Sequence, residues 1–285
     1  MLDETRLNYV SFFRDRRLAY GDGHSEQVVG RAVKSAGKPI TIATKVPPKN
    51  RIWPAAPNSS LEEVFPAAYV VESTETSLRH LGVDTIDLQQ LHVWNPRWTP
   101  QEEWRRVFED LKRSGKVRHV GMSLTDHDPD SGLDLIRTGL VDSVQVIYNI
   151  FDPSAADRLF PLAQSLGVGL LARVPLDEGS LTGSITEDTQ FEPGDFRAFY
   201  FRGGRKRQVA ERVVRLRQDL GSFPGTLAQI ALRFCLSHPA VPSVIPGMRR
   251  IANVESNAAA SDAGPLPPEI LAMLAGHRWE RNFYQ

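Results

Sequence analysis

Short runs of β-branched and apolar residues alternate with longer amphipathic segments along most of this chain. Such alternation is typical of parallel sheets, because neighbouring parallel strands need a crossover that is usually a helix. No internal break or low-complexity linker interrupts the pattern, which favours one domain over residues 1–285. The pattern predicts strands at residues 9–13, 40–44, 86–92, 117–123, 143–148, 167–173 and 242–245.

The segments between these strands predict helices. Within residues 61–81, apolar positions recur every three or four residues, which is the period of one helix face. Periodicity alone leaves open whether the strands close into a barrel or form an open sheet with helices on both sides. No G-x-G-x-x-G sequence follows the first strand, which weighs against a dinucleotide-binding open sheet. The predicted helices cover residues 24–36, 61–81, 101–114, 129–139, 154–166, 205–219, 225–238 and 267–276.

Composition narrows the class of protein. The formal net charge is zero, so there is no electrostatic reason to expect a nucleic-acid or membrane partner. Cys235 is the only cysteine, which excludes an intramolecular disulfide and a cysteine-based zinc site. The histidines are not grouped at metal-ligand spacing, apart from the loose pair His119 and His127. No secretory signal and no apolar run near the ~20 residues that span a bilayer are present. We therefore expect a cytoplasmic enzyme without a metal.

Ionisable residues follow several predicted strands at the point where each strand ends. Asp15 and Tyr20 come after the first strand, Lys45 after the second, and His92 closes the third. Each has an ordinary structural explanation as a cap, a turn residue, a solvated cation or a packed core histidine. Because active sites of parallel α/β folds gather at the carboxyl ends of strands, their common position indicates a shared site.

These four residue types suit one kind of chemistry. A tyrosine hydroxyl has an ordinary pKa near 10, so it needs help to exchange a proton at neutral pH. A lysine ammonium nearby favours the phenolate, and an aspartate beside the lysine keeps that lysine charged. A histidine can orient a carbonyl oxygen. The set therefore indicates general acid catalysis of a reaction that develops negative charge on a carbonyl oxygen, such as hydride delivery.

Several short motifs add a resemblance to a known family. From about residue 8 to residue 260 the chain resembles the aldo-keto reductase superfamily, whose motifs fall at successive strand ends. The motifs are AYGDGHSE, ITIATKV, IDLQQLHVW, VGMS, QVIYN, GSLTG and VIPGMRRIANVESN. The resemblance implies a (β/α)8 TIM barrel that uses NADPH or NADH without a dinucleotide-binding open sheet. It also implies that Asp15, Tyr20, Lys45 and His92 form the catalytic tetrad, with Tyr20 as the general acid.

The resemblance further implies a set of cofactor-binding residues. Ser123 and Gln145 match positions that hold the nicotinamide carboxamide. Arg173 stands where many members place an aromatic residue that stacks on the nicotinamide, and a guanidinium plane can also stack on a flat ring. Residues Gly179, Ser180 and Leu181 would border the pyrophosphate through backbone N–H groups. The adenosine-phosphate region would be formed by Gly247, Arg249, Asn253 and Asn257.

Cofactor choice and substrate contacts are less sharply defined by these motifs. The preference for NADP, with NAD as the alternative, depends on Arg249 and Arg250, either of which could also be a solvated charge at a helix start. Trp53 and Trp94 lie on loops that follow predicted strands. Tryptophans in such places can wall an apolar pocket above the nicotinamide. We expect these two to contact the substrate.

The front of the chain departs from the family pattern. In the family a β-hairpin, the first barrel strand and its helix precede the segment that matches SFFRD, whereas ten residues precede it here. We therefore expect a barrel that lacks its first strand. Either the chain is a fragment, or rearranged N-terminal residues close the gap, or a second copy covers the open edge. Arg16 and Arg17, which stand where the family has small residues, could compete with Lys45 for Asp15.

The sequence thus predicts an NAD(P)H-dependent oxidoreductase that reduces a small aldehyde or ketone to an alcohol, as a monomer or homo-oligomer. Two alternatives stay open. One is a catalytically impaired barrel that binds the cofactor and serves a regulatory role. The other is a lyase or isomerase that uses the same acid–base residues without net redox change.

Overall fold

A computed structural model describes residues 23–285 of the chain. The described residues form a six-stranded sheet in which all neighbouring strands run parallel and the spatial order follows the chain. The predicted strand at residues 9–13, together with Asp15 and Tyr20, lies outside the described residues. The strands are β1 (Ala43–Val46), β2 (Ile86–Leu91), β3 (Val117–Ser123), β4 (Ser143–Ile147), β5 (Gly169–Arg173) and β6 (Ser243–Val244).

Helices connect successive strands throughout residues 23–285, as expected for a (β/α) barrel. None of these helices is both long and apolar enough to cross a membrane. They are α1 (His24–Ser35), α2 (Leu61–Val64), α3 (Ala67–Leu81), α4 (Glu103–Arg113), α5 (Leu133–Arg137), α6 (Leu159–Ser165), α7 (Phe196–Tyr200), α8 (Arg205–Leu220), α9 (Leu227–Leu236), α10 (Ile251–Asp262) and α11 (Pro268–Ala275).

The helix predicted over residues 61–81 is two helices. The Ser60 side chain caps α2 by accepting a hydrogen bond from the backbone N–H of Glu63 at 3.1 Å. Pro66 then ends α2, because proline has no backbone N–H to continue the helix, and it serves as the N-cap of α3. Helix α3 ends at Gly82, whose φ of 65° suits a glycine cap. Helix α3 buries Val70, Thr74, Ser77 and Leu81, which recur every three or four residues along one helix face.

Helix α10 was not predicted because its sequence has no apolar stripe. Only Ala260 is buried in it, while Ile251 is 79% exposed. Strand β1 also differs, since it begins at Ala43, three residues later than expected. Lys45 therefore lies within the strand and not after it.

The two faces of the sheet have opposite character, because side chains alternate along each strand. The outer face turns toward the helices, as Thr44 shows by donating from its Oγ1 to the Glu26 carboxylate of α1 at 2.7 Å. One row of the outer face is entirely apolar and at most 1% exposed. The neighbouring row on the inner face carries polar or small residues instead. The apolar row is Val46, Leu91, Met122, Val144 and Leu170, and the inner row beside it is Lys45, Gln90, Gly121, Ser143 and Gly169.

Candidate functional site

The inner face brings most of the predicted site residues together at the carboxyl end of the sheet. Lys45 pairs in register with Gln90, and Gln90 pairs with Gly121. Two residues further along, Ser123 pairs with Gln145 on the next strand. Because residues two apart point to the same face, these side chains share the inner face. Arg173, two residues beyond the partner of Gln145, ends β5 on that face as well.

Lys45 is nearly buried, with 4% of its surface exposed. Burial, and then the nearby Arg173 guanidinium, lower the pKa of Lys45 to about 7. Both causes act in the same direction, because each disfavours the ammonium form. The side chain can therefore change its charge near neutral pH, which an exposed lysine cannot do.

His92 follows β2 directly, and its backbone N–H donates to the Val46 oxygen at 3.0 Å. The ring of Trp53, from the loop after β1, meets the His92 ring edge to face, with ring centres 5.8 Å apart. Trp53 is only partly buried. The structure thus places one predicted substrate-contacting tryptophan beside the predicted catalytic histidine.

The other predicted substrate contact, Trp94, lies elsewhere. Trp94 is 1% exposed and packs edge to face against Trp98 and Trp104, with ring centres 5.8 and 5.5 Å away. After the end of β2 the chain enters a short helical segment, Pro96–Trp98. The Trp98 Nε1–H of this segment donates a hydrogen bond to the Ser59 backbone oxygen at 3.0 Å. Trp94 therefore belongs to the hydrophobic core of the described residues, and its contact with a substrate stays a prediction.

Ser123 and Gln145 are well suited to an amide ligand. Ser123 is 3% exposed and Gln145 is fully buried. Neither the Oε1 nor the Nε2 atom of Gln145 has a hydrogen-bond partner among residues 23–285. A buried amide without partners costs stability, and a ligand that offers it both a donor and an acceptor would remove that cost. A nicotinamide carboxamide supplies both a donor and an acceptor and fits this group.

Arg173 is held firmly at the end of β5. Its Nη2 donates to the Leu124 backbone oxygen at 3.0 Å and to the Asp126 carboxylate at 2.6 Å. Both side chains of this ion pair are close to 90% buried. Sequence reasoning missed Asp126, although an acidic residue three positions beyond the end of a predicted strand was a signal for a site contact.

The residues predicted to bind pyrophosphate lie in a helical turn, Asp177–Thr182, after β5. Gly179 has a φ of 110°, a conformation that glycine adopts readily. Ser180 and Leu181 are fully buried. The N–H groups of Gly179 and Leu181 both donate to the Leu176 oxygen, at 2.9 and 3.1 Å. The turn itself uses these two donors, and a contact of this turn with a pyrophosphate stays a prediction.

The residues predicted near the adenosine phosphates surround the start of α10. Gly247, Arg249 and Asn253 are exposed, and Asn257 donates from its Nδ2 to the Gly247 oxygen at 3.3 Å. No side chain caps the helix at Arg250. An uncapped helix N-terminus beside two arginines suits an anionic group.

The long segment between β5 and α8 approaches this helix start. The pKa of the Asp195 carboxyl is lowered, chiefly by a hydrogen bond from Arg197 and also, to a smaller extent, by the Arg249 guanidinium. The Arg249 charge therefore acts on a residue that begins α7. The segment and the predicted phosphate region are neighbours.

A cavity of about 320 Å³ adjoins Lys45 between α1, α3 and the end of β1. Its polar lining includes Glu26, Glu72 and His80. Its lining also includes Gly23, the first described residue. No group of three or more potential metal ligands occurs in residues 23–285.

Comparisons with known proteins agree with this geometry. Residues 13–278 match the model of the Aldo/keto reductase family. The chain is 28% identical to the NADH-specific methylglyoxal reductase of Escherichia coli (strain K12) over 256 residues, covering 86% of this chain and 77% of that protein. It is 31% identical to aldo-keto reductase str7 of Strobilurus tenacellus over 271 residues, covering 92% and 75%.

A solved structure extends the likeness to the fold. The holo form of the aldo-keto reductase AKR11C1 from Bacillus halodurans superposes with a TM-score of 0.71 at 27% identity, covering 93% of this chain and 83% of that one. The barrel expected from the sequence and the resemblance found in its motifs are thereby confirmed.

Proposed function

The chain belongs to the aldo/keto reductase family of NAD(P)-dependent oxidoreductases, and we propose that it reduces the carbonyl group of a small aldehyde or ketone to an alcohol. The observation that carries this proposal is the common inner face of Lys45, Ser123, Gln145 and Arg173, with His92 beside them. This face carries both the buried, titratable amine of Lys45 and the unsatisfied amide of Gln145, which fits a nicotinamide carboxamide.

Bound NADPH or NADH supplies the hydride for the carbonyl carbon. Tyr20 donates its hydroxyl proton to the carbonyl oxygen, and the phenolate that remains recovers a proton from solvent. The Lys45 ammonium favours this phenolate and so lowers the barrier to donation. By the family pattern, Asp15 would pair with Lys45, and His92 would orient the carbonyl oxygen. Of these groups, Asp15 and Tyr20 are assigned by the family pattern alone.

The remaining inner-face residues hold the cofactor. The Gln145 amide and the Ser123 hydroxyl would bind the carboxamide, and the Arg173 guanidinium would stack on the nicotinamide ring. Arg249 and the start of α10 receive the adenosine phosphates. We propose NADP as the preferred cofactor and NAD as the alternative. Because one relative is named NADH-specific, the binding of both cofactors has to be compared.

For the substrate we propose a small-molecule carbonyl compound. Methylglyoxal is the first compound to test, because it is the substrate named for one of the relatives. Trp53, beside His92, would form an apolar wall for it. Strands β1 and β6 are the outer strands of the described sheet, so a second copy that covers one of them is the alternative to a monomer. Light scattering distinguishes the two.

The test is a titration of the purified protein with NADPH and, separately, with NADH, followed by tryptophan fluorescence. Tyr20→Phe should bind nucleotide as well as the wild type does, while losing carbonyl-dependent NADPH oxidation. The matched control is Tyr148→Phe, because Tyr148 packs between Phe160 and Phe234 away from the inner face. A folded protein that binds neither nucleotide would refute the proposal. Turnover of the carbonyl compound without NADPH consumption would favour a lyase or isomerase instead.

A further inference from the structure

Three consecutive residues after β3 each contact a different part of the carboxyl edge of the sheet. Thr125 donates from its Oγ1 to the Trp94 oxygen, beyond β2, at 3.1 Å. Asp126 accepts from Arg173, at the end of β5, at 2.6 Å. His127 donates from its Nδ1 to the carboxylate of Asp152, which lies beyond β4. We call residues 125–127 the β3 loop. This loop ties three strand ends to one another.

The two ion pairs of the β3 loop are largely withdrawn from solvent, unlike most ion pairs within residues 23–285. The Arg173 and Asp126 side chains are 10% and 12% exposed, and those of His127 and Asp152 are 7% and 11% exposed. By contrast, the neighbouring pair between Arg158 and Asp130 is 64% and 43% exposed. A charge pair withdrawn from water is strongly destabilised when one partner is removed, whereas an exposed pair contributes little.

The backbone of the β3 loop is held in a conformation that its residues do not prefer. His127 has a φ of 53°, in the left-handed region that non-glycine residues rarely adopt. Burial would raise the pKa of the Asp152 carboxyl, but hydrogen bonds from His127 and Ser154 outweigh it and lower that pKa. An ionised Asp152 therefore holds His127 in place. Strain of this kind persists where surrounding contacts impose it, and it is concentrated at functional sites.

Asp126 also balances charge on the inner face. Lys45 and Arg173 are both cationic groups in a buried region, and Arg173 acts on Lys45 through its charge. Among the described residues, the carboxylate bonded to Arg173 is that of Asp126. This carboxylate attracts the guanidinium toward the β3 loop, whereas repulsion from Lys45 pushes the guanidinium away from β1.

We propose that Asp126 is a positioning residue that fixes the plane of the Arg173 guanidinium against the nicotinamide ring. The β3 loop holds Asp126 for this purpose through Thr125 and His127. The inference rests on the proposed function, because it concerns how the cofactor is held. It adds to that function a residue outside the family motifs that identified the site.

Asp126→Asn preserves the shape of the side chain and removes its charge. We expect this variant to raise the Kd and the KM for the nucleotide by about tenfold to a hundredfold, the range for losing a charged hydrogen bond. The kcat at saturating nucleotide should change less, because the acid–base residues stay in place. Asp126→Glu, which keeps the charge, should recover part of the affinity. The matched control is Asp130→Asn, which breaks the exposed pair with Arg158 and should leave both constants unchanged.

A double-mutant cycle tests whether Asp126 acts through Arg173. Asp126→Asn should weaken nucleotide binding about tenfold or more in the wild type and less than about threefold in an Arg173→Gln background. An equal effect in both backgrounds would overturn the proposal, since Asp126 would then act on the cofactor by another route.

The two proposals fail in different ways. A wild-type protein that is folded and binds neither nucleotide refutes the proposed function, and this inference with it. A wild-type protein that binds nucleotide, beside a folded Asp126→Asn variant that binds it equally well, refutes this inference alone. Thermal unfolding of each variant shows that the affinity change is not a loss of folded protein.

Discussion

Each face of the sheet buries one glutamine whose side-chain amide has no hydrogen-bond partner among residues 23–285. Gln145 on β4 belongs to the inner face and Gln89 on β2 to the outer face, and both are fully buried. Gln145 is paired in register with Ser123, at the end of the sheet where Lys45 and Arg173 also lie. Gln89 is flanked in register by Thr44 and Val120, on the face that packs against helices.

A buried glutamine amide without a hydrogen-bond partner therefore has a different significance on each face of the sheet. On the inner face, other polar groups surround the unsatisfied amide and a ligand can complete its hydrogen bonds, so the cost of burial is recovered on binding. On the outer face one register neighbour of Gln89 is Thr44, whose hydroxyl is already bonded to Glu26, and the other is Val120, and nothing in the described structure relieves the cost. A buried unpaired group indicates a site only when other residues of a candidate site lie beside it on the same face. Four substitutions or conditions test this contrast.

The largest effect is expected at Lys45, the charged centre of the inner face. Lys45→Met should slow carbonyl reduction by about 10²–10⁴-fold, the usual contribution of general acid–base assistance. Nucleotide binding should persist, because the carboxamide and phosphate contacts are elsewhere. Single-turnover NADPH oxidation measures the rate. Lys49→Met, the same change at an exposed lysine, serves as the control. A Lys45→Met variant that reduces the carbonyl compound at the wild-type rate would show that Lys45 and the inner face do not take part in the reaction.

Gln145→Leu should weaken nucleotide binding by about tenfold to a hundredfold, since it deletes both hydrogen-bonding atoms offered to the carboxamide. The protein without nucleotide should at the same time become more stable, because an unsatisfied buried amide is replaced by an apolar side chain of similar size. Fluorescence titration and thermal unfolding measure the two effects. A gain in stability with unchanged nucleotide affinity would show that Gln145, like Gln89, does not bind the nucleotide.

The pH dependence of kcat should report the charge of Lys45. The pKa of about 7 means that the ammonium is present below this pH and is lost as the pH rises. The rate of reduction should therefore fall above neutral pH. Replacing the Arg173 cation in Arg173→Gln should move this fall to higher pH, because a like charge that lowers the pKa of Lys45 is removed.

The other ionisable residues that line the cavity with Lys45 are Glu26 of α1, Glu72 and His80 of α3, and Arg51. They are unchanged in the Arg173→Gln variant, so the shift in pH profile is attributable to Arg173. Rates measured at saturating nucleotide distinguish this shift in the pH profile from an effect of weaker nucleotide binding. An unshifted profile would mean that Arg173 does not act on the group that titrates.

The smallest effect is expected from Gln89→Leu on the outer face. Removing the unsatisfied amide there should stabilise the fold by about 1–3 kcal/mol. The melting temperature should rise by about 2 °C or more. Nucleotide affinity and kcat should stay at wild-type values. Reduced affinity in this variant would show that the two faces are not independent, and the contrast between the glutamines would fail.

Much of this arrangement could be predicted from the sequence. Six of the seven predicted strands lie in the described residues, and all six are present, with β1 displaced by three residues and β6 shorter than expected. Lys45, Ser123, Gln145 and Arg173 lie at one edge, because carboxyl ends of parallel strands always meet there. Alternation along a strand then decides which of its residues share a face.

Other features depended on contacts between distant parts of the chain. The sequence could not show that Trp94 packs into the core while Trp53 meets His92, because strand alternation no longer applies once the chain enters a loop. Nor could it show that the Leu176 oxygen accepts the N–H groups of Gly179 and Leu181.

The order of strands and helices, the family motifs and the positions of the chemical groups along the chain were thus determined by the sequence itself, since they depend on local periodicity and residue type. The pairing of Asp126 with Arg173, the buried position of Trp94 and the different surroundings of Gln89 and Gln145 were decided by the tertiary structure. Each of these depends on which residues from separate segments are withdrawn from water together, and that selection is made only when the whole chain packs.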